Sequence, residues 1–338
     1  MSKETKPSVK RISEITGFSP ATVSNALNNK KGVNKETSEK IFKIAEELGY
    51  STFSRSIKSI KFVVFRRNGN ILDESSFHPA VIEGVEQEAR EHKLETVFVY
   101  LEKNSPNYKE QIQKLASVSD SAIILLATEM EKDDFKDFED CRCPIVLLDG
   151  WNDDAPYSSV LIDNLNSASK AVEYLISKGH REIGYIRGDF RIQAFQDREA
   201  GYQTTMMKNG LNIVDDYVVT LSTKTEGSYQ EMCEWIASGH RIPTAYFVDN
   251  DCIALGAIRA LKQNGYKVPD DVSVVGFDDI TFSAISSPPL STIHVYKQEM
   301  GREAVRRLLS MMEYGDGSRF KVQSCTSFIE RESVKSLV

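Results

Sequence analysis

The chain has 338 residues, 41% hydrophobic and 27% charged, with a formal net charge of −7, which fits a globular protein and excludes a disordered or fibrous one. It has no apolar run long enough to span a bilayer, and its polar start, Met1-Ser2-Lys3-Glu4, is not an export signal, so a cytoplasmic protein with no membrane partner is expected. The charge is unevenly placed: residues 1–61 hold 12 Lys and Arg against 6 Asp and Glu, and the remainder is net −13, so only a basic head is suited to a polyanion.

In chain order, Ser8 is placed to cap a helix carrying Val9, Ile12 and Ile15, which Gly17 ends. Ser19 caps a second helix, with Pro20 at its first position, where a missing N–H costs nothing. Val23, Ala26 and Leu27 form an apolar stripe, leaving Thr22, Ser24 and Asn25 on the other faces. This is the layout of a helix-turn-helix whose second helix enters the DNA major groove; a short amphipathic helical hairpin is the alternative. Beyond the polar turn Asn28-Asn29-Lys30-Lys31-Gly32, Asn34 caps a third helix with Ile41, Ile44, Ala45 and Leu48 on one face.

From Ser8-Val9-Lys10-Arg11-Ile12 through Ala21-Thr22-Val23-Ser24, Leu27-Asn28, Val33-Asn34 and Glu46-Glu47-Leu48-Gly49-Tyr50, the chain resembles the DNA-binding headpiece of the LacI/GalR family of bacterial repressors. The resemblance implies that Pro20, Ala21 and Asn25 face bases, that Ser8, Ser19, Thr22, Ser24 and the turn lysines, Lys30 included, meet DNA phosphates, and that Asn28 also contacts DNA. Arg is usual in the family where Asn25 stands; Arg suits guanine and Asn suits adenine, so a different operator is expected. Ser54-Arg55-Ser56-Ile57 resembles the end of the family's hinge helix, which makes Arg55 a DNA contact and Ile57 the candidate minor-groove wedge. The linker is about two residues shorter than is usual, and the other reading of Ile57 is that it simply precedes the first strand of the body.

From Lys61, short β-branched runs (Phe62–Phe65, Thr96–Val99, Ala122–Leu126, Ile145–Leu148) alternate with helical segments around 79–92, 107–117 and 131–139. The theme repeats after Asp163, with helices at 164–178, 193–209, 226–238 and 251–264 between runs at 183–186, 217–219, 245–248 and 272–276. Two α/β lobes with doubly wound parallel sheets follow from this, with a ligand cleft at the carboxyl ends of their strands. Family-like stretches continue here, among them Gly179-His180-Arg181-Glu182-Ile183-Gly184-Tyr185, Arg198-Glu199-Ala200-Gly201-Tyr202 and Gly276-Phe277-Asp278-Asp279. They imply a small all-α headpiece on a periplasmic-binding-protein-like body whose chain crosses between lobes near 161, 291 and 319. The expected division is a headpiece over 1–50, a hinge over 51–60 and a body over 61–338. Its N-lobe takes about 61–161 and 291–318, and its C-lobe about 162–290 and 319–338.

In the cleft, Arg198 matches the family's effector-clamping arginine, a planar fork for two ligand oxygens. Asp278 follows a strand, Asn250 and Asp251 open a helix that one of them caps, and Phe77 and His78 lie before helix 79–92. Asp149 and Trp151 follow a strand, and Phe190 follows the Gly188-Asp189 turn; Trp151 suits either stacking on a sugar or capping the core. His180 is expected to be structural. No catalytic motif, metal cluster or cofactor fingerprint is present, and the scattered five cysteines read as reduced thiols. The expectation is a homodimeric, non-enzymatic repressor on a roughly palindromic double-stranded operator, controlled by a small-molecule effector, a carbohydrate. Control by a partner protein, a nucleobase or a phosphorylated metabolite is the alternative.

Overall fold

Three short helices close a small apolar core at the N-terminal end. The computed structural model describes residues 8–27, 32–48, 57–72, 76–117, 121–141, 143–314 and 318–338. In α1 (Val9–Thr16) the Ser8 hydroxyl accepts from the Arg11 N–H at 3.2 Å, and Gly17 closes the helix at φ +75°, donating to Ser13 O at 2.9 Å. A side chain at that left-handed position would cost about 1–2 kcal/mol, which is why glycine stands there. The Ser19 hydroxyl caps α2 (Pro20–Leu27) through Thr22 N–H at 3.1 Å, and Asn34 caps α3 (Lys35–Glu47) through Thr37 N–H at 2.8 Å. Ile12, Val23, Ala26, Leu27, Ile41 and Ala45 fill the centre.

The first lobe is a parallel sheet built from β1 (Ser59–Arg66), β2 (Glu95–Glu102), β3 (Ser121–Leu126), β4 (Ile145–Leu148), β5 (Ser158–Ile162) and, from far along the chain, β11 (Lys321–Ser324). Its spatial order is β11-β5-β4-β3-β1-β2. β3, β4 and β5 are buried throughout, as parallel strands covered on both faces must be. Helices α4 (Phe77–Glu91) and α5 (Tyr108–Ala116) connect the early strands. The second lobe repeats the plan with β6 (Ile183–Gly188), β7 (Val218–Leu221), β8 (Ala245–Val248) and β9 (Ser273–Val275), in the order β7-β6-β8-β9. Its helices are α6 (Asn164–Ser177), α7 (Gln193–Lys208), α8 (Thr225–Ala237) and α9 (Asp251–Gln263). In both sheets the first strand lies between the second and the third, so each has a topological switch point, where ligands of such folds bind.

The lobes are joined by chain after Ile162 and by an antiparallel pair, β10 (Thr292–Val295) with β12 (Thr326–Ile329). Between these, α11 (Lys297–Tyr314) returns to the first lobe and packs on α4 backbone to backbone. A Cβ on Gly301 would fall 2.2 Å from Val81 O, so this close approach needs glycine. A short helix α10 (Thr281–Ile285) precedes β10. One set of buried side chains runs from the first sheet (Phe62, Ile124) through α4 and α11 (Val85, Ala304) into the second lobe (Tyr185, Tyr202, Phe247).

Four expectations change. Ile57 is only 9% exposed and belongs to the body core with Ile60 and Phe62, so here it is a core residue and not a free wedge; burying such a side chain is worth about 1.5–3 kcal/mol. The body sheet starts at Ser59, inside the stretch assigned to the hinge, whose residues 51–56 lie outside the described residues. The last crossing follows Ser324 and not residue 319, because β11 pairs with β5 and covers its edge. The helix expected over 131–139 is one 3-10 turn, Asp134–Phe138, where the Asp134 carboxylate takes the Glu131 N–H and ion-pairs with Lys103, both at 2.8 Å.

Candidate functional site

The strand ends of the two sheets face each other across a cleft. From the first lobe come Thr128 after β3, Asp149 after β4, and Phe77 and His78, which form the first turn of α4 rather than the loop before it. From the second lobe come Arg198 on α7, Asn250 after β8 and Asp278 after β9. These side chains line one inner cavity of about 20 Å³, room for roughly one water. Arg198, 3% exposed, is held on every side. Its guanidinium lies 3.5 Å from the Phe277 ring centroid, Nε donates to Asn164 Oδ1 at 2.9 Å, Nη1 donates to Asp249 O, and Nη2 donates to Asp278 Oδ1 at 3.3 Å.

Burial pushes the Asp149 carboxyl up to about 6, with Thr128 Oγ1, donating at 2.7 Å, and Arg198 opposing and Asp278 adding to the rise. Asp278 is raised too, by burial first, against Arg198 and Lys297. Asp149 (φ +57°) and Asp278 (φ +110°) both hold backbone conformations that a non-glycine residue adopts at a cost of about 1–3 kcal/mol, a strain typical of binding sites. Asn250 has two duties: its side chain caps α9 through Ile253 N–H at 3.0 Å while its residue lines the cavity. Asp251 does not reach the cleft. Fully buried, it accepts from Ile280 N–H at 3.1 Å and from the Ser283 and Thr292 hydroxyls at 2.7 Å, tying α9 to α10 and β10. Burial pushes its carboxyl up to about 7. Trp151 and Phe190 line a separate outer pocket of about 370 Å³ at the cleft mouth. His180 is structural: its ring nitrogens lie 3.0 Å from Thr244 Oγ1 and 3.1 Å from Lys335 O.

On the headpiece, Ser8, Ser19, Pro20 and Ala21 are exposed, and Thr22, Ser24 and Asn25 half-exposed, while Val23, Ala26 and Leu27 are buried. Ser8 and Ser19 spend acceptor capacity as caps, and the Ser19 and Thr22 hydroxyls also hydrogen-bond to each other at 2.9 Å. Asn28, Lys30 and Arg55 lie outside the described residues.

Residues 8–52 match the family model described as bacterial regulatory proteins, lacI family, and residues 172–334 match the periplasmic binding protein-like domain. The HTH-type transcriptional repressor PurR of Vibrio campbellii is 30% identical, over 97% of this chain and 99% of its own length. The chain belongs to the LacI family of bacterial regulatory proteins. Its fold is likewise that of a CelR–cellobiose complex (25% identity, TM-score 0.73, covering 97% of this chain and 99% of that one). A lac repressor dimer bound to operator and the anti-inducer ONPF is also similar (23% identity, TM-score 0.71, 98% and 100% covered). This LacI-family protein is therefore a DNA-binding transcriptional repressor and not an enzyme.

Among the described residues of the LacI-family chain, no helix is long and apolar enough to cross a membrane, and no group of His, Cys, Asp and Glu could hold a metal. Three residues of the site escaped sequence reasoning. Thr128 follows a buried strand, a weak signal. Glu129 is 1% exposed, and its carboxylate accepts from the backbone N–H groups of Arg67, Asn68, Gly69, Ile71 and Leu72 at 2.9–3.4 Å, holding the loop after β1 at the cleft edge. Asp249 accepts from Gly188 N–H at 2.8 Å, from Tyr185 and from Arg191, while its carbonyl holds Arg198. Glu129 carries no sequence signature because backbone N–H groups leave none, and the side-chain partners of Asp249, Tyr185 and Arg191, lie about sixty residues away in the chain.

Proposed function

We propose that this repressor is a cytoplasmic homodimer that reads a roughly palindromic operator and is controlled by a small polyhydroxylated ligand, a sugar, held between its lobes. The division of labour follows the chain: a headpiece that reads DNA, a linker, and a two-lobed body that senses the ligand. One observation carries the ligand reading. Asp149 of one lobe and the Arg198–Asp278 pair of the other line the same cavity. Carboxylates are acceptors for paired hydroxyl groups and a guanidinium donates to ring and hydroxyl oxygens, so a polyol satisfies both lobes at once. The similarity to a regulator solved with cellobiose supports the same class. At 20 Å³ the inner cavity admits no ring unless the lobes separate, so a bound sugar favours one lobe arrangement over another. It shifts operator affinity by no more than its differential affinity for the two. The dimer reading rests on exposed Phe282 (62%) and Ile285 (71%) beside a depression of about 410 Å³ lined by Leu255 and Ile258.

Calorimetric titration of the full-length protein with sugars and with nucleobases tests the ligand class. A sugar is expected to bind and to change operator affinity; Arg198→Ala should abolish that response and leave ligand-free operator binding intact. Binding of a nucleobase alone would replace the sugar, and an unchanged response in R198A would remove Arg198 from the site.

A further inference from the structure

We infer that the ligand is a disaccharide, with one ring at Arg198 and the second in the outer pocket between Trp151 and Phe190, a refinement that rests on the sugar reading above. The outer pocket, at about 370 Å³, is the part of the cleft that reaches the 300–1,000 Å³ usual for small-molecule sites. It adjoins the inner cavity across a space of about 10 Å³. A narrow space between them shares Trp151 and Gln193 with the outer pocket, and shares Asp149 and Ala194 with the inner one.

The outer walls come from opposite lobes. Trp151 follows β4 in the first and Phe190 follows β6 in the second, both half-buried, so a ring lodged there touches both lobes. Aromatic faces of this kind suit the C–H face of a pyranose. Both walls make contacts within the protein. Lys321 Nζ lies 5.3 Å from the Trp151 ring centroid, and Asp189, whose carboxylate takes the Phe190 N–H at 2.8 Å, also takes the Thr223 N–H at 3.2 Å.

Charges at the mouth are neutralised in pairs: Lys132 with Asp154 at 2.6 Å, Arg67 with Glu131 at 3.3 Å, and Arg191 with Glu199 at 2.8 Å. Among the described residues that line the pocket, both cations, Lys132 and Arg191, have carboxylate partners, and Lys321 beside Trp151 pairs with Asp153, which favours a neutral sugar over a phosphorylated one. Gln193 and Gln196 add amide groups for hydroxyls.

The test titrates the full-length protein with cellobiose, maltose, lactose, melibiose, sucrose and trehalose, with glucose, galactose and fructose, and with guanine and hypoxanthine. The variants are W151A, F190A, the conservative W151F and R198A, and a cooperative urea-unfolding transition in each serves as the control for folding. A disaccharide is expected to bind at least tenfold more tightly than either component ring. W151A and F190A should each cost that disaccharide tenfold or more and leave the single ring unaffected; W151F should restore most of the loss, and R198A should abolish all binding. If a sugar needs Arg198 but not Trp151 or Phe190, the outer site is overturned and the sugar reading stands. If a nucleobase alone binds, or nothing does, both fall. If binding needs Trp151 but not Arg198, the two-ring arrangement is wrong.

Discussion

Asp149 ends β4 in a left-handed conformation, buried, with its carboxyl pushed up to about 6 against an unfolded value near 3.8. A carboxylate raised in the fold contributes stability that is present below the unfolded value and lost as pH rises through the folded one. The ionised Asp149 is therefore a burden above pH 6, kept for what it meets in the cleft. Asp149→Asn should flatten the change in stability between about pH 4 and 6, and raise stability at pH 7 on the order of 2 kcal/mol while weakening ligand binding. Urea unfolding of wild type and D149N across that range checks it; a parallel pair of pH curves would contradict it. At this scale the sequence was most readable where one position admits one chemistry. Arg198 and Asp278 stood out and meet in space. Asp251 did not separate from Asn250 because both can cap a helix, and only packing shows that Asn250 caps α9 while Asp251 anchors α10 and β10.

Among the elements, the loop after β1 depends most on a single side chain. Five backbone N–H groups converge on Glu129, and Asn70 O of the same loop accepts from Thr223 Oγ1 of the other lobe at 3.2 Å. Ile71 packs there with Ile192, Ala194 and Phe195, so the loop bridges the lobes. Glu129→Ala should cost about 3 kcal/mol or more by orphaning these donors, and Glu129→Gln less, since one acceptor oxygen survives. Urea denaturation measures both; a loss under 1 kcal/mol in E129A would show that water replaces the carboxylate. The apolar β-branched runs of β1, β3, β4, β6 and β8 were legible because strands buried on both faces must be apolar. β5 opens on Ser158-Ser159, and β11 is Lys321-Val322-Gln323-Ser324, half exposed at the sheet edge, so neither carries that pattern. Cap chemistry served the headpiece better: Ser8, Ser19 and Asn34 each take the N–H expected of them.

At the level of the whole molecule, the chain order was readable from the charge boundary and the twice-repeated α/β pattern, while the path between lobes was not. That path depends on β11 joining the first sheet before β12 pairs with β10, a long-range choice that local residues do not encode. The consequence is mechanical. β10, tied by Thr292 to Asp251, and β12 link the lobes on one side, while Asp149, Arg198 and Asp278 meet on the cleft side, so lobe arrangement and ligand are coupled. The account depends first on the headpiece reading a sequence. Its most direct test is fluorescence anisotropy of the full-length protein on a palindromic fragment from its own promoter region, against a scrambled fragment, across a salt series. The account predicts binding to the palindrome at least about 10³-fold tighter than to the scramble, weakening with salt on both. Weak binding of equal strength to the two fragments would contradict it.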